Sequence, residues 1–236
     1  MHAPPQLALL ALLALSACMP VERPHDDGDL RTLVHLAYDE PLEQAALGLE
    51  QRYELDRPEI DLVPVPEGVG VRADVRMLMG PTDEPGAERV EIERVVGVFV
   101  PASSSLRLID LSKGTRDVII GRDGTPLGEL SRLTLSERGL GDEINPRLLE
   151  ADSDEVFDWI IERDAVGLAF VALAGERAAD VRMVAQGARE TGAIVATSRA
   201  GRDFIEWLQG GVTTRRPLRH EGFDLTIDPL APKDPP

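Results

Sequence analysis

Apolar residues in this chain fall into short runs and helical repeats that alternate along its length. Leu33 to Ala37 (LVHLA) reads as a strand, followed by the polar turn Tyr38-Asp39-Glu40-Pro41. Leu42, Ala45, Ala46, Leu49 and Tyr53 then recur at helical spacing. Pro41 stands in the first turn of that helix, where its missing N–H costs nothing. Ile60 to Val65 and Ala73 to Met79 read as the second and third strands, and residues 81–88 as a loop. Val95 to Val100 (VVGVFV) is an apolar run ended by Pro101, and Leu106 to Leu111 reads as a short turn or helix.

The same alternation continues. Asp117 to Gly121 (DVIIG) has the unbroken apolar character of a strand buried on both faces. After a Gly/Pro loop, Leu127 to Arg138 reads as a helix with Leu130, Leu133 and Leu135 inward, stopped by Gly139. Val156 to Glu162 is a second helix, with Phe157, Ile160 and Ile161 as its apolar face. Gly167 to Leu173 (GLAFVAL) reads as a central strand, Val181–Ala185 and Ala193–Thr197 as two more, and Phe204, Ile205 and Leu208 as one face of a last helix. Strands alternating with helices predict an α/β fold, mostly parallel sheets with helices on both faces. No internal repeat is visible.

The N-terminus changes the picture. Residues 7–15 (LALLALLAL) are too short a run to span a bilayer, which takes about 20 residues. They suit the apolar region of a secretory signal peptide, and Leu15-Ser16-Ala17-Cys18 resembles the bacterial lipobox at all four positions. Small residues before a cut let a peptidase hold the extended chain, and the Cys thiol accepts diacylglycerol. The segment before the run, MHAPPQ, lacks the Lys or Arg expected of an export signal. An ordinary cleaved signal with an incidental Cys is the other reading. The expected division is therefore 1–17 signal peptide, 18–30 lipidated tether (Pro-rich, charged, aperiodic), and the folded part beyond. Met19 after the Cys favours the outer over the inner membrane, by the sorting rule of enteric lipoproteins.

Cys18 is the only cysteine, so neither an intrachain disulfide nor a cysteine zinc cluster can form. The formal net charge is −17, and residues 1–17 contribute none of it. Such a surface repels phosphate backbones, which argues against nucleic acid as a partner. The three histidines after Cys18 (His25, His35 and His220) show no metal-ligand spacing, and no nucleophile elbow is present, so neither cofactor, metal nor catalytic residue is predicted. Ser103-Ser104-Ser105 reads as a linker turn.

Residues 117–173 resemble the second lobe of the molybdate-binding periplasmic proteins, of the type 2 solute-binding class. The shared series is DVIIG, Pro126-Leu127-Gly128, a helix, Gly139-Leu140, a second helix, and a strand opening Gly167-Leu168-Ala169-Phe170. The opening strand-turn-helix and ADVRMLM resemble the first lobe. Phe204 to Leu208 with Glu221-Gly222-Phe223 resembles the family's close. The resemblance implies two lobes joined by two crossing strands: lobe one as 31–98 plus 186–228, lobe two as 99–185 with the hinge strands, and 229–236 as a disordered tail. Val95–Val100 and Val181–Ala185 would be the crossings.

Ligand would lie between the lobes, at the C-terminal ends of strands. The resemblance implies contacts from Asp39 and Glu40, which stand in the turn where the family has a Ser; from backbone N–H groups at Leu127 and Gly128; from Ser153; and from Phe170, where the family has a Tyr. Read from the residues, Asp39 and Glu40 could equally cap a helix, a gain of about 0.5–1 kcal/mol. Ser153 reads rather as a helix cap and Phe170 as core. Arg122 and Asp123 read as a solvated pair.

The function expected is capture of a small ligand, by family analogy an oxyanion such as molybdate, for an ABC transporter permease. The protein would be a monomer held to the membrane by its lipid, on the periplasmic side of the cell envelope. The alternative is a lipoprotein of the same fold with a structural or sensory role and no transported ligand.

Overall fold

The computed structural model describes residues 31–82, 87–108, 116–140 and 147–226. The signal segment, Cys18, the tether, the loop tip at 83–86, residues 109–111 of the expected turn at 106–111 and the tail all lie outside the described residues.

The strands are β1 (Thr32–Tyr38), β2 (Ile60–Pro66), β3 (Val75–Met79), β4 (Glu88–Pro101), β5 (Val118–Gly121), β6 (Leu148–Ala151), β7 (Val166–Phe170), β8 (Val181–Ala196) and β9 (Phe223–Leu225). The helices are α1 (Glu43–Asp56), α2 (Pro126–Glu137), α3 (Val156–Glu162), α4 (Val171–Ala174), α5 (Arg199–Gln209) and α6 (Arg216–His220), with 3-10 turns at Glu40–Leu42 and Gly175–Arg177.

All strands join one curled sheet in the order β2-β1-β3-β8-β4-β7-β5-β6, and β9 pairs with β4. Its two halves repeat one plan. In the first, β1 lies between β2 and β3, all parallel, with β8 beyond β3. In the second, β5 lies between β6 and β7, all parallel, with β4 beyond β7. The two long strands pair with each other antiparallel along their whole length, broken by register shifts at Val95/Gly97 and Val98/Phe99. Parallel pairing is thus confined to the short strands of each lobe.

Each half closes over its own core. One contains Val34, Leu36, Leu49, Tyr53, Met77, Phe204 and Phe223; the other contains Ile119, Ile120, Leu127, Leu130, Phe157, Ile160 and Leu168. β4 gives Val90 and Ile92 to the first and Val96 to Val100 to the second. β8 gives Val181 and Ala188 to the second and Ile194 and Ala196 to the first. The long strands are therefore the connection between two lobes, and both change core near Arg94 and Glu190. This is the two-lobed α/β fold with crossing strands as hinge.

Glycines let the helices start close to the sheet. A Cβ on Gly128 would stand 2.1 Å from the Arg122 carbonyl, and one on Gly201 2.1 Å from that of Asp74. Thr125 caps α2 by accepting from the Gly128 N–H at 3.1 Å, and Ser198 caps α5 by accepting from Gly201 at the same distance.

Several expectations need correction. The two strands expected at 181–185 and 193–197 are one strand, and the first crossing begins at Glu88 rather than Val95. The strand expected at 167–173 ends at Phe170, where α4 takes over. Leu133 and Ile161 face outward, at 47% and 39% exposure. On α2 the inward positions beside Leu130 and Leu135 belong to Ser131 and Thr134. Thr134 is buried because its hydroxyl donates to Leu130 O (2.8 Å) and accepts from Ala188 N (2.9 Å), tying α2 to β8.

Candidate functional site

Two concave regions receive five of the six residues expected at a ligand site. A cleft of about 140 Å³ is lined by Leu127, Ser153 and Phe170, from three separate connections of the second lobe. Arg94 from the crossing and His220 and Glu221 from the end of α6 complete its wall, with Thr125, Pro126 and Asp152. Asp39 and Glu40 lie elsewhere, in an acidic depression of about 320 Å³ with Tyr38, Glu43, Pro66 and Glu67. Gly128 lines neither; its N–H is spent on the Thr125 hydroxyl and its lack of a side chain on the approach to Arg122.

The cleft follows from the strand ends. Gly121, Ala151 and Phe170 finish three neighbouring parallel strands, so the residues after them open at one edge. Leu127 is second in α2, and its N–H belongs to the first turn, which has no acceptor within the helix. Ser153 sits in the turn before α3 but is not its cap. That position is Glu155, and the Glu155 and Val156 N–H groups donate to Asp152 O instead. Phe170 is 4% exposed and stacks against Gly222, so it is both core and cleft wall. Arg122 pairs with Asp152 at 2.9 Å, both half exposed, and Asp123 lies 3.3 Å from Arg132.

Arg94 is the residue that sequence reasoning missed. It is 3% exposed, in register with Glu190 on β8 and with Phe223 on β9. Its Nε donates to Glu190 Oε2 at 3.0 Å, and its Nη2 donates to the same oxygen. The guanidinium lies 4.5 Å from the centre of the Phe223 ring and 5.5 Å from that of Phe170, so the buried charge rests between two ring faces and one carboxylate. A charge within a strand reads as solvent-facing, and Arg94 follows Glu88, Arg89, Glu91 and Glu93 in the same strand, so nothing in the pattern marks it as the buried one.

α6 and β9 close the other side. Arg219 Nη2 donates to Ala172 O at 2.6 Å, reaching from the terminal segment to α4, and Gly222 takes φ +84° against the Phe170 ring. Outward, Ser153 and His220 also line an adjoining depression of about 390 Å³ with Asp154, Phe157, Leu173 and Glu176.

In the acidic depression Asp39 is occupied by the fold. Its Oδ2 accepts from Met79 N at 2.7 Å, tying the end of β1 to the end of β3, and it makes no side-chain cap to the following turn. The expectation that Asp39 caps a helix is therefore replaced by a strand-to-strand tie. Glu40 is exposed in the first turn of the 3-10 segment. The Tyr38 hydroxyl lies 3.5 Å from Glu43 Oε1; burial first, and the Glu43 charge second, push its pKa above the usual phenol value. Among the described residues no group of three or more His, Cys, Asp and Glu side chains could hold a metal ion, and no helix is long and apolar enough to cross a membrane.

Neither a protein-family model nor a curated protein sequence matches the chain. Solved structures do. A substrate-binding domain assigned to a molybdenum ABC transporter of Clostridium difficile matches with TM-score 0.53 at 15% identity, over 82% of this chain and 98% of that one. A possible phosphate binding protein from Planctomyces limnophilus matches with TM-score 0.48 at 11% identity, over 84% and 94%. The effector domain of the transcriptional regulator AmpR of Pseudomonas aeruginosa matches with TM-score 0.43 at 16% identity, over 80% and 100%. Only the first exceeds 0.5, and at 15% identity it defines a fold and not a ligand. The chain thus has the fold of type 2 periplasmic substrate-binding domains.

Proposed function

We propose that this protein is an extracytoplasmic solute-binding protein, held to a membrane by a lipid on Cys18, that captures a small molecule between its lobes and presents it to an ABC transporter permease. The observation that carries this reading is the convergence of Leu127, Ser153 and Phe170 with Arg94 on one cleft beside the two crossing strands. Two lobes joined by two strands can bend at the crossing and close over a ligand, and ligands of such sheets bind beyond the strand ends. The Clostridium difficile domain, described as substrate-binding, has the same fold and supports the same use.

The lobes would meet where β4 and β8 change core, near Arg94 and Glu190, and the protein would act as a monomer. Met19 after the lipidated Cys favours the outer membrane.

A thermal-shift screen of the full chain in mild detergent tests the reading. Small organic acids, amino acids, oxyanions and metal cations form the panel. A true ligand at a hundred times its dissociation constant adds about 2.7 kcal/mol to stability. No shift with any compound would contradict capture of a small solute.

A further inference from the structure

We infer that the cleft takes a small zwitterion of amino-acid type, its carboxylate against Arg94 and the Leu127 N–H and its ammonium against Glu221. This rests on the solute-binding reading and names its ligand class.

The lining carries both signs of charge. Arg94 brings a buried positive charge, paired along one edge with Glu190; of the two acidic residues, Asp152 is paired with Arg122 at 2.9 Å and Glu221 lies 3.4 Å from the His220 ring. Nε and Nη2 of Arg94 both bond to a single Glu190 oxygen, and its Nη1 donates to no described residue. Arg94 and Leu127 both line the cavity, and a guanidinium edge and a first-turn N–H both favour negative charge. A carboxylate suits them. A doubly charged oxyanion suits them less, because the Glu190 and Glu221 carboxylates stand beside the same donors and like charges repel. A simple cation is opposed by Arg94 itself. A ligand with one anionic and one cationic end satisfies both sets.

Size points the same way. About 140 Å³ is close to the roughly 150 Å³ that encloses a benzene-sized molecule. A longer side chain would extend past Ser153 and His220 into the adjoining depression of about 390 Å³.

Isothermal titration of the full chain in detergent tests the assignment, with glycine, L-alanine, L-serine, L-proline and glycine betaine as zwitterions. Acetate, methylammonium and molybdate serve as single-charge and dianion probes. The expected result is that at least one zwitterion binds about tenfold or more tighter than acetate and methylammonium. Glu221→Gln is then expected to weaken that zwitterion about tenfold while the melting temperature of the free protein stays within about 2 °C. Arg94→Gln is expected to abolish binding, and Glu221→Gln keeps the test decisive if Arg94→Gln does not fold. Preference for molybdate, or equal binding of acetate and zwitterions, would overturn the ligand class and leave solute capture standing. Binding of none of these probes would overturn the ligand class, and if the broader thermal-shift panel is also silent, solute capture falls with it.

Discussion

Arg94 and Glu190 stand opposite each other on β4 and β8, at the step where both strands leave one core for the other. The two members are unequally placed: the Arg94 side chain is 4% exposed and that of Glu190 38%. Removing the carboxylate strands a buried cation, whereas removing the cation leaves a carboxylate that water can reach. Glu190→Gln is therefore expected to cost about 2–4 kcal/mol, and Arg94→Met, which keeps an apolar stem between the two rings, less. Urea denaturation of both variants checks the order; a larger loss for Arg94→Met would refute this assignment of the buried member.

Gly222 is required twice. Its φ is +84°, and a Cβ there would stand 2.5 Å from the Phe170 ring. Gly68 has φ +88° but open space around it. Gly222→Ala is expected to cost more than about 2 kcal/mol, and Gly68→Ala about 1 kcal/mol. Equal losses in a denaturation series would show that Phe170 is not pressed against the terminal segment.

Tyr53 sets an alkaline limit. It is 1% exposed, edge-on to Phe204 at 5.0 Å and to Trp207 at 4.8 Å. Burial is the main cause that raises its pKa above the ordinary phenol value near 10. Once pH exceeds that value, the unfolded chain loses the phenol proton and the folded chain keeps it. Stability is full below about pH 10 and falls as pH rises above it. Urea midpoints at pH 8 and pH 11 should separate in the natural protein and draw together in Tyr53→Phe. An unchanged separation in the variant would assign the alkaline loss to other groups.

Lipidation at Cys18 predicts that a labelled fatty acid fed to an expressing bacterium enters the protein and that the protein sediments with membranes. Cys18→Ser should lose the label and move to the soluble fraction. Continued labelling of the variant would sink the lipobox reading.

Much of the fold is legible in the sequence because each element hides one face. Leu42, Ala45, Ala46, Leu49 and Tyr53 are all buried in the first core. What escaped follows no apolar pattern. β8 looks like two strands because its middle, Gln186-Gly187-Ala188-Arg189-Glu190-Thr191, runs between the cores with only Ala188 buried. β6 and β9, with four and three residues, are too short to show a period. Leu133 was assigned inward by spacing, but Thr134 takes the core side through its two hydrogen bonds.

The site divides in the same way. Leu127, Ser153 and Phe170 lie just past or at the ends of strands, and an α/β alternation brings such residues to one edge whatever their side chains. Arg94 is a different matter, since its burial depends on a partner 96 residues away and on two rings from separate strands. By type and position Asp39 fits a helix cap and a ligand contact equally, yet its carboxylate accepts from Met79, 40 residues on.

Backbone hydrogen exchange of the full chain, alone and with the compound giving the largest thermal shift, tests the cleft most directly. Slower exchange should appear together at the starts of α2 and α3 and across Arg219–Phe223, the three walls that meet around Arg94. Unchanged exchange in these segments, or slowing confined to the acidic depression at Asp39 and Glu40, would show that solute capture has been placed on the wrong surface.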